Sequence, residues 1–306
     1  MKILITGFSG MLGTDVVSEL APHHEVVGIA NRENKKIHIP FHYLDIRDKA
    51  AVSKVIGEVK PDFILHTAAH VNADDCEQNA EFAFAVNSEG TRWVAEASAA
   101  VGARTAFIST DYVFDGSKKG PYEETDAPNP LSVYGKSKVQ AENFLRSLDR
   151  GDYVIRLSWL FGENGPNFFK AVLKKAARHE DLKVVDDQFG APTYTKDLAK
   201  AIRVLIERSE KIHPRKGINI YHLANSGITS WFDAAAFILA KANTDVRLDR
   251  INSDQLDRAA KRPKNSVLNL SKIKKDFGIQ MRPWNEALEE YWNESLSKDW
   301  ERSMVL

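Results

Sequence analysis

Short apolar runs rich in β-branched residues alternate with amphipathic segments along the first half of the chain. The apolar runs predict strands at Lys2–Thr6, Glu25–Ala30, Phe63–His66, Thr105–Ser109 and Tyr153–Leu157. The segments between them have helical spacing of apolar positions, at Gly10–Leu20, Ala50–Val59, Ala80–Ala100 and Tyr134–Leu148. Alternation of this kind predicts right-handed βαβ units and a doubly wound parallel sheet that helices cover on both faces.

The rhythm of the pattern changes after about Ser158. The later segments predict helices at Asn167–Arg178, Thr195–Glu207 and Ser230–Lys241, and strands at Leu182–Val185 and Ile218–Leu223. We therefore expect an α/β fold with a main domain at 1–158 and a smaller, mixed α/β C-terminal part at 159–306. The two parts are expected to exchange chain, with about 184–222 contributing to the main domain.

Composition narrows the class of protein. The chain has 306 residues, 43% of them hydrophobic, which is enough to bury a large core. With 42 basic and 42 acidic side chains, it lacks the basic excess of proteins that bind nucleic acids or membrane surfaces. Cys76 is the lone cysteine, which excludes an internal disulfide and fits a reducing compartment. No apolar run has the length of a signal peptide or a spanning helix, so we expect a cytoplasmic protein.

A glycine-rich turn follows the first predicted strand, and it reads Gly-Phe-Ser-Gly-Met-Leu-Gly at positions 7–13. Glycine is needed where the chain turns tightly, where backbone approaches a pyrophosphate, and where a helix packs closely on a strand. The helix N-terminus that follows offers free N–H groups to phosphates. The turn therefore predicts a Rossmann-type dinucleotide site, although a plain strand–turn–helix has the same pattern. The predicted contacts are Gly7, Gly10, Met11, Leu12 and Gly13.

The end of the second predicted strand bears on the choice of cofactor. An acidic residue there would bind the ribose hydroxyls of NAD, whereas Asn31-Arg32 places a cation where NADPH carries its 2′-phosphate. The alternative is an arginine on a solvated loop. Asp45 and Ile46 end the next apolar stretch, where the carboxylate could accept a hydrogen bond from the adenine amino group. We expect NADPH, with NADH as the second choice.

Tyr134 and Lys138 are four residues apart on a predicted helix, so their side chains share one face. Reduction of a ketone needs a proton for the developing alkoxide. A tyrosine serves poorly at neutral pH unless a nearby cation lowers its pKa, and Lys138 could do so while also hydrogen-bonding the nicotinamide ribose of the cofactor. Thr110, at the end of a preceding strand, could hold the substrate carbonyl oxygen. A surface pair at this spacing would look the same in isolation, but its position after a dinucleotide loop favours catalysis.

Together these motifs resemble the extended short-chain dehydrogenase/reductase family. Ser-Thr-Asp-Tyr-Val-Phe-Asp-Gly at 109–116 is similar to a signature of the dTDP-4-dehydrorhamnose reductases within it. The likeness covers most of the chain and continues through the stretches 68–70, 129–131, 156–162, 187–193, 221–224 and 262–263.

The resemblance implies reduction of dTDP-4-dehydro-β-L-rhamnose to dTDP-L-rhamnose, a precursor of cell-surface polysaccharide, with Thr110, Tyr134 and Lys138 as the catalytic group. It places Ala68 and Ala69 at the cofactor. The implied substrate, a dTDP-linked 4-keto-6-deoxyhexose, would contact His70, Asp111, Tyr112, Trp159, Asn167 and Arg262. The aromatic side chains suit the apolar side of a deoxysugar, and the arginine suits a diphosphate.

Two other functions fit the same motifs. A nucleotide-sugar epimerase of the superfamily would use the same tyrosine and lysine with tightly bound NAD, but Arg32 and the stretch 110–116 count against it. A regulatory subunit similar to the β subunit of methionine adenosyltransferase would bind a partner protein instead. His66 and His70 are spaced as a metal-ligand pair, but no third ligand is evident, so we expect no metal. A homodimer is expected only from the general frequency of two-fold assemblies.

Overall fold

The structure, a computed structural model, describes residues 1–212 and 216–303. Within these ranges the strands are β1 (Lys2–Thr6), β2 (Glu25–Ala30), β3 (Phe41–Tyr43), β4 (Phe63–His66), β5 (Arg104–Thr110), β6 (Asp152–Leu157), β7 (Leu160–Phe161), β8 (Leu182–Val185), β9 (Phe189–Gly190), β10 (Thr193–Tyr194), β11 (Ile218–His222), β12 (Thr229–Ser230) and β13 (Leu248–Ile251). The helices are α1 (Met11–Leu20), α2 (Lys49–Val59), α3 (Ala73–Gln78), α4 (Ala80–Phe84), α5 (Thr91–Val101), α6 (Val133–Leu148), α7 (Phe168–Ala176), α8 (Thr195–Ile212), α9 (Trp231–Ala242), α10 (Ser271–Phe277), α11 (Trp284–Tyr291) and α12 (Ser297–Ser303). None of these helices is both long and apolar enough to cross a bilayer.

Seven strands form one sheet in the order β11-β6-β5-β4-β1-β2-β3, and every neighbouring pair is parallel. The order reverses at β1, which pairs with β2 on one side and β4 on the other. Ligands of open α/β sheets bind at such a reversal, outside the carboxyl ends of the strands. The predicted Rossmann-type, doubly wound sheet is confirmed.

Alternating side chains of the strands reach both faces of this sheet. Ile3 and Ile5 of β1 pack on one face with α1 and α8, while Leu4 packs on the other face against α2 and α5. All three side chains are fully buried. Because burying each aliphatic side chain stabilises a fold by about 1.5–3 kcal/mol, strands that are apolar on both sides favour this three-layer arrangement.

A second apolar core lies in the C-terminal part, around α7, α9 and α11. Its fully buried members include Phe169, Tyr194, Ile238 and Tyr291. Short strand pairs accompany it: β8 with β13 and β7 with β10 in parallel, and β9 with β12 antiparallel. The chain after position 158 also returns to the main sheet, where β11 pairs with β6 and α8 packs on α1. Residues 213–215 and 304–306 of the predicted C-terminal part lie outside the described residues.

Most predicted elements are confirmed to within a few residues, and the differences are local. The segment predicted as one helix at 80–100 is α4, a π-helical stretch at Ala85–Gly90, and α5. Strand β3 and helix α3 were not predicted because each is short and shows no apolar periodicity. Ser132 caps α6 by accepting a hydrogen bond from the backbone N–H of Gly135, which fixes where the helix that carries Tyr134 begins.

Candidate active site

The carboxyl ends of β1, β2 and β4 open into a cleft of about 290 Å³. It lies at the reversal of strand order, where the fold predicts a ligand. The predicted cofactor residues that line it are Gly7, Gly10, Asn31, Arg32, Asp45, Ile46, Ala68 and Ala69.

The glycines of the turn after β1 are required by space as well as by conformation. Gly7 has a φ of +70°, and a Cβ there would lie 2.7 Å from the backbone nitrogen of Ala68. A Cβ on Gly13 would lie 2.3 Å from the carbonyl oxygen of Gly7. Gly10 is the N-cap of α1, and no side chain of the described residues caps this helix end. The free N–H groups at the start of α1 therefore fit a pyrophosphate.

Met11 and Leu12 lie beside the cleft without lining it. Met11 begins α1, and its side chain faces Gly165 of a later loop. Leu12 is buried in the core under the sheet. Met11 and Leu12 can therefore contact a phosphate only through their backbone N–H groups at the start of α1.

The end of the cleft at β2 and β3 carries the charged groups. The guanidinium of Arg32 is exposed and pairs with no carboxylate of the described residues. Asp45 is engaged instead by Arg47, whose Nη2 donates to Oδ2 at 2.6 Å and whose backbone N–H donates to Oδ1 at 2.9 Å. These hydrogen bonds lower the pKa of Asp45. Arg32 thus remains available for a phosphate, whereas the adenine contact predicted for Asp45 must share the carboxylate with Arg47.

Each of the last three residues of β5 contacts the same face of α6. The hydroxyl of Thr110 donates to the Oδ1 of Asp111 at 3.1 Å and lies close to the hydroxyl of Tyr134. The ammonium of Lys138 donates to the carbonyl of Ile108 at 2.6 Å. These contacts place the predicted catalytic residues Thr110, Tyr134 and Lys138 together at the carboxyl edge of the sheet.

The pKa of Tyr134 lies above its ordinary value, because burial of the phenol outweighs the hydrogen bond from Thr110. The sequence predicted that Lys138 lowers it. With only the protein's own groups around the phenol, the shift of the Tyr134 pKa has the opposite direction. The reason is that the ammonium of Lys138 turns to the Ile108 carbonyl and to the ring of Phe107, 4.1 Å from its centroid. Tyr134 is therefore held as the neutral acid, the form that donates a proton.

Lys138 itself is buried, and burial lowers its pKa to about 7, against the opposing effect of Glu142. His66 faces it from β4 and stays neutral, with its pKa lowered to about 3 by burial and by Lys138. Its two ring nitrogens lie 2.6 Å from the Thr6 hydroxyl and 2.9 Å from the Thr91 hydroxyl. His66 is thus part of the buried scaffold beneath the site.

Asp111 and Tyr112 continue the wall beyond Thr110. Asp111 is buried beside Ser266, and burial raises its pKa to about 7. The ring of Tyr112 meets that of Tyr134 edge to face, with centroids 5.8 Å apart. Burial raises the pKa of Tyr112 to about 12, so its hydroxyl stays neutral. Both predicted substrate residues therefore lie next to Tyr134.

Arg262 joins this wall from the C-terminal part. Its guanidinium makes a two-point ion pair with Asp74 and lies beside the hydroxyl of Tyr112. Asp74 also accepts from the backbone N–H of Ala260 at 3.0 Å. The arginine predicted for a diphosphate is thus held within reach of the tyrosines by a carboxylate that the sequence analysis did not assign.

Trp159 has a positive φ of +47° and is stacked on Trp231, with ring centroids 3.7 Å apart and planes 7° from parallel. A Cβ on Gly190 would lie 2.5 Å from the Trp159 indole, so this glycine leaves room for the ring. A non-glycine residue in this conformation is strained and is often found at functional sites. The stack therefore gives Trp159 one fixed orientation.

Asn167 and His70 are placed differently from the other predicted substrate residues. Asn167 caps α7, and its amide donates to the Gly162 carbonyl at 2.8 Å and to the Tyr291 hydroxyl at 3.2 Å. These contacts use its polar atoms within the C-terminal core, so they do not support the role at the nucleotide end. The Nε2 of His70 lies 2.5 Å from the carboxylate of Asp75 near the cofactor cleft.

Several residues outside the predicted set hold the site together. Glu77 accepts a hydrogen bond from the backbone N–H of Val133 at 2.8 Å, which fixes the residue before Tyr134. The amide of Asn87 joins the His70 carbonyl to the Ser137 hydroxyl. Glu142 continues the spacing of Tyr134 and Lys138 by four more residues, a signal that was present in the sequence.

A larger cavity, of about 640 Å³, lies near β6 and β11. Two of its cations are already paired, Arg156 with Glu142 at 2.7 Å and Lys272 with Asp276 at 3.8 Å. None of the predicted catalytic residues lines it. Across residues 1–212 and 216–303, no group of three or more His, Cys, Asp and Glu side chains is arranged to hold a metal ion. Volume alone therefore does not identify the site, and we assign it to the cleft and to the adjoining residues Tyr134 and Lys138 of α6.

Residues 1–297 match a protein family described as RmlD substrate binding domain. The dTDP-4-dehydrorhamnose reductase of Aggregatibacter actinomycetemcomitans is 38% identical over 296 residues, covering 94% of this chain and 97% of that protein. A solved dTDP-4-dehydrorhamnose reductase from Clostridium acetobutylicum has a TM-score of 0.87 at 37% identity, covering 96% of this chain and 99% of the other. The corresponding protein of Bacillus anthracis, solved in complex with NADP, has a TM-score of 0.86 at 34% identity, covering 96% and 99%.

Proposed function

The chain belongs to the RmlD substrate-binding-domain family, and we propose that it is the reductase that converts dTDP-4-dehydro-β-L-rhamnose into dTDP-L-rhamnose. The observation that carries this proposal is the contact between the hydroxyls of Thr110 and Tyr134 beside the cleft, with Lys138 on the same helix face. This is the arrangement that reduction of a ketone requires: a neutral acid, a polarising hydroxyl and a nearby cation.

The cleft fits NADPH on two grounds. A side chain on Gly7 or Gly13 would fill the cradle that the turn leaves beside the free N-terminus of α1. The guanidinium of Arg32 is exposed where a 2′-phosphate would be read. When bound there, NADPH supplies the hydride that reduces C4 of the sugar.

The proton comes from the protein. Tyr134 donates its phenolic proton to the oxygen on C4 as that oxygen gains charge, and the hydroxyl of Thr110 stabilises the same oxygen by a hydrogen bond. Burial keeps Tyr134 protonated until that moment. The positive charge of Lys138 then stabilises the phenolate, which takes its next proton from solvent.

The sugar and the diphosphate are assigned to the wall opposite the cofactor cleft. Tyr112 and Trp159 offer aromatic faces to the deoxysugar, and Asp111 offers a buried carboxyl for a sugar hydroxyl. Arg262, oriented by Asp74, supplies a positive charge for a phosphate. Ala68 and Ala69 line the cofactor cleft and His70 follows them in the chain, whereas Asn167 has no assigned contact with the substrate.

The test is oxidation of NADPH by the purified protein, followed by its near-ultraviolet absorbance, with dTDP-4-dehydro-6-deoxyglucose and its 3,5-epimerase. Oxidation that needs the epimerase and is lost in Tyr134→Phe supports the proposal. Interconversion of sugars without net oxidation would indicate the epimerase instead. Failure of both, together with co-purification of a methionine adenosyltransferase, would indicate the regulatory subunit.

The proposed function also bears on where the protein is located and on what it binds. The equal numbers of basic and acidic side chains support an enzyme that binds neither nucleic acid nor a membrane surface. The buried, unpaired thiol of Cys76 supports a cytoplasmic location, where thiols stay reduced. A homodimer is proposed on general frequency, and equilibrium sedimentation would test it.

A further inference from the structure

Glu142 lies one helical turn beyond Lys138 on the same face of α6, and both side chains are buried. Since residues four apart on a helix are neighbours, Tyr134, Lys138 and Glu142 form one row beneath the site. The chemistry proposed above uses the first two members of the row. It leaves the third, a buried carboxylate, without a role.

The carboxylate of Glu142 is fixed by two other elements. Ser109 of β5 donates its hydroxyl to Oε1 at 2.5 Å. Arg156 of β6 donates Nε to Oε1 at 3.1 Å and Nη2 to Oε2 at 2.7 Å. A carboxylate with three donors is held in one position, since each hydrogen bond restrains one of its oxygens.

The other groups that face Lys138 do little to keep it charged. The carbonyl of Ile108 and the ring of Phe107 contact its ammonium, but neither carries a net charge. His66, across from it on β4, is neutral. Of the carboxylates in the described residues, Glu142 is the one whose charge opposes the loss of the Lys138 proton.

We propose that Glu142 is a positioning residue that keeps Lys138 positively charged at neutral pH and thereby sustains proton delivery by Tyr134. The proposal rests on the function proposed above. Burial alone would drive a lysine towards its neutral form, and a fixed carboxylate one turn away opposes this. Arg156 and Ser109 act through Glu142, because their hydrogen bonds fix the position of its carboxylate.

The test is the pH profile of kcat/KM in Glu142→Gln. Removing the carboxylate leaves Arg156 unpaired, and both changes disfavour the ammonium of Lys138. The alkaline limb of the profile should therefore move to lower pH by about one unit or more, as expected for charges one helical turn apart. Glu96→Gln is the matched control, because Glu96 pairs with Arg92 on the surface of α5 and should leave the limb in place.

A second readout does not need turnover. The dissociation constant of NADPH, followed by tryptophan fluorescence, should change with pH as Lys138 loses its charge. In Glu142→Gln this change should occur at a correspondingly lower pH. If the wild type binds NADPH but reduces no keto-sugar, the proposed function fails while this measurement still tests Glu142. A limb and a binding curve that both stay in place would overturn the inference.

A double variant keeps the proposal testable if Glu142→Gln does not fold. Glu142→Gln combined with Arg156→Gln also removes the guanidinium that the single variant would leave unpaired, which is the chief cause of misfolding. The carboxylate is still absent, and the alkaline limb should still move to lower pH by about half a unit or more. An unmoved limb in this folded double variant contradicts the proposal, whereas Ser109→Ala should keep the limb of the wild type because the charge of Glu142 remains.

Discussion

Asp74 and Arg262, 188 positions apart in the chain, form a two-point ion pair in which Nη1 donates to Oδ1 at 3.2 Å and Nη2 donates to Oδ2 at 2.7 Å. Arg262 holds the pKa of Asp74 at about 2, so both partners are charged at neutral pH. The pair joins α3 of the main domain to the C-terminal part and fixes the guanidinium beside Tyr112.

Arg262→Lys should raise the KM for the nucleotide sugar about tenfold and change kcat little, because a lysine cannot reproduce the two-point geometry. Initial-rate kinetics at saturating NADPH measure both constants. Arg258→Lys is the control, since Arg258 is exposed and reaches Asp74 with a single contact at 3.1 Å. An equal rise in KM in both variants would mean that Arg262 has no specific role in binding.

Thr110→Val should lower kcat by about 10²-fold, since it removes the hydroxyl that contacts Tyr134 and polarises the carbonyl. Without the Thr110 hydroxyl, the pKa of Tyr134 should rise further above its ordinary value. Thr110→Ser retains the hydroxyl and should recover most of the rate. Single-turnover reduction with bound NADPH separates the chemical step from product release, and a Thr110→Val enzyme as fast as Thr110→Ser would exclude this role.

Arg32→Ala should reduce the preference for NADPH over NADH by about tenfold or more, because it removes the cation assigned to the 2′-phosphate. The measurement is the ratio of kcat/KM for the two cofactors. Lys35→Ala tests whether any nearby positive charge suffices, since Lys35 is exposed on the same loop. If the ratio is unchanged in Arg32→Ala, the phosphate is read elsewhere.

Stability should fall in mild acid because of His66 and His222. Both are buried, and burial lowers each pKa to about 3. Below about pH 6.5 the unfolded chain binds protons that the folded protein refuses, so each histidine lowers the free energy of unfolding by about 1.4 kcal/mol per pH unit. Urea unfolding between neutral pH and about pH 5 measures this slope.

Replacing one of these histidines should remove its share of the slope. His222→Gln is expected to have a shallower loss of stability with falling pH than the wild type, by about 1.4 kcal/mol per unit. His23→Gln should keep the slope of the wild type, because His23 is exposed. Equal slopes for all three proteins would show that His222 takes up a proton in the folded state.

Periodicity and motif spacing predicted the sheet, the cleft and the shared face of Tyr134 and Lys138 on α6, because those features depend on residues close together in sequence. The partners of Arg262 and Trp159 could not be predicted in this way. Asp74 and Trp231 meet them only through the fold, and nothing in the local pattern marks either as a neighbour. The assignment of Asn167 came from resemblance alone, while helix capping determines what its side chain contacts.

The direction of the pKa of Tyr134 shows a different limit. Spacing on the helix correctly put Lys138 on the same face, but spacing carries no information about burial. In the structure, desolvation dominates the titration of both side chains and moves their pKa values in opposite directions. The sequence therefore predicted that the two side chains share a helix face but not the direction in which burial shifts the pKa of Tyr134.

The return of the chain to the main sheet limits how this fold can be recombined. Strand β11 forms the outer edge of the sheet beside β6, yet it follows α7, β8 and α8 in the chain. A single crossover after position 158 would exchange that edge strand together with the C-terminal core, so β6 of one parent would have to pair with β11 of the other. Exchange of sugar specificity between homologues by swapping segments would therefore need at least two junctions, one on each side of the returning segment.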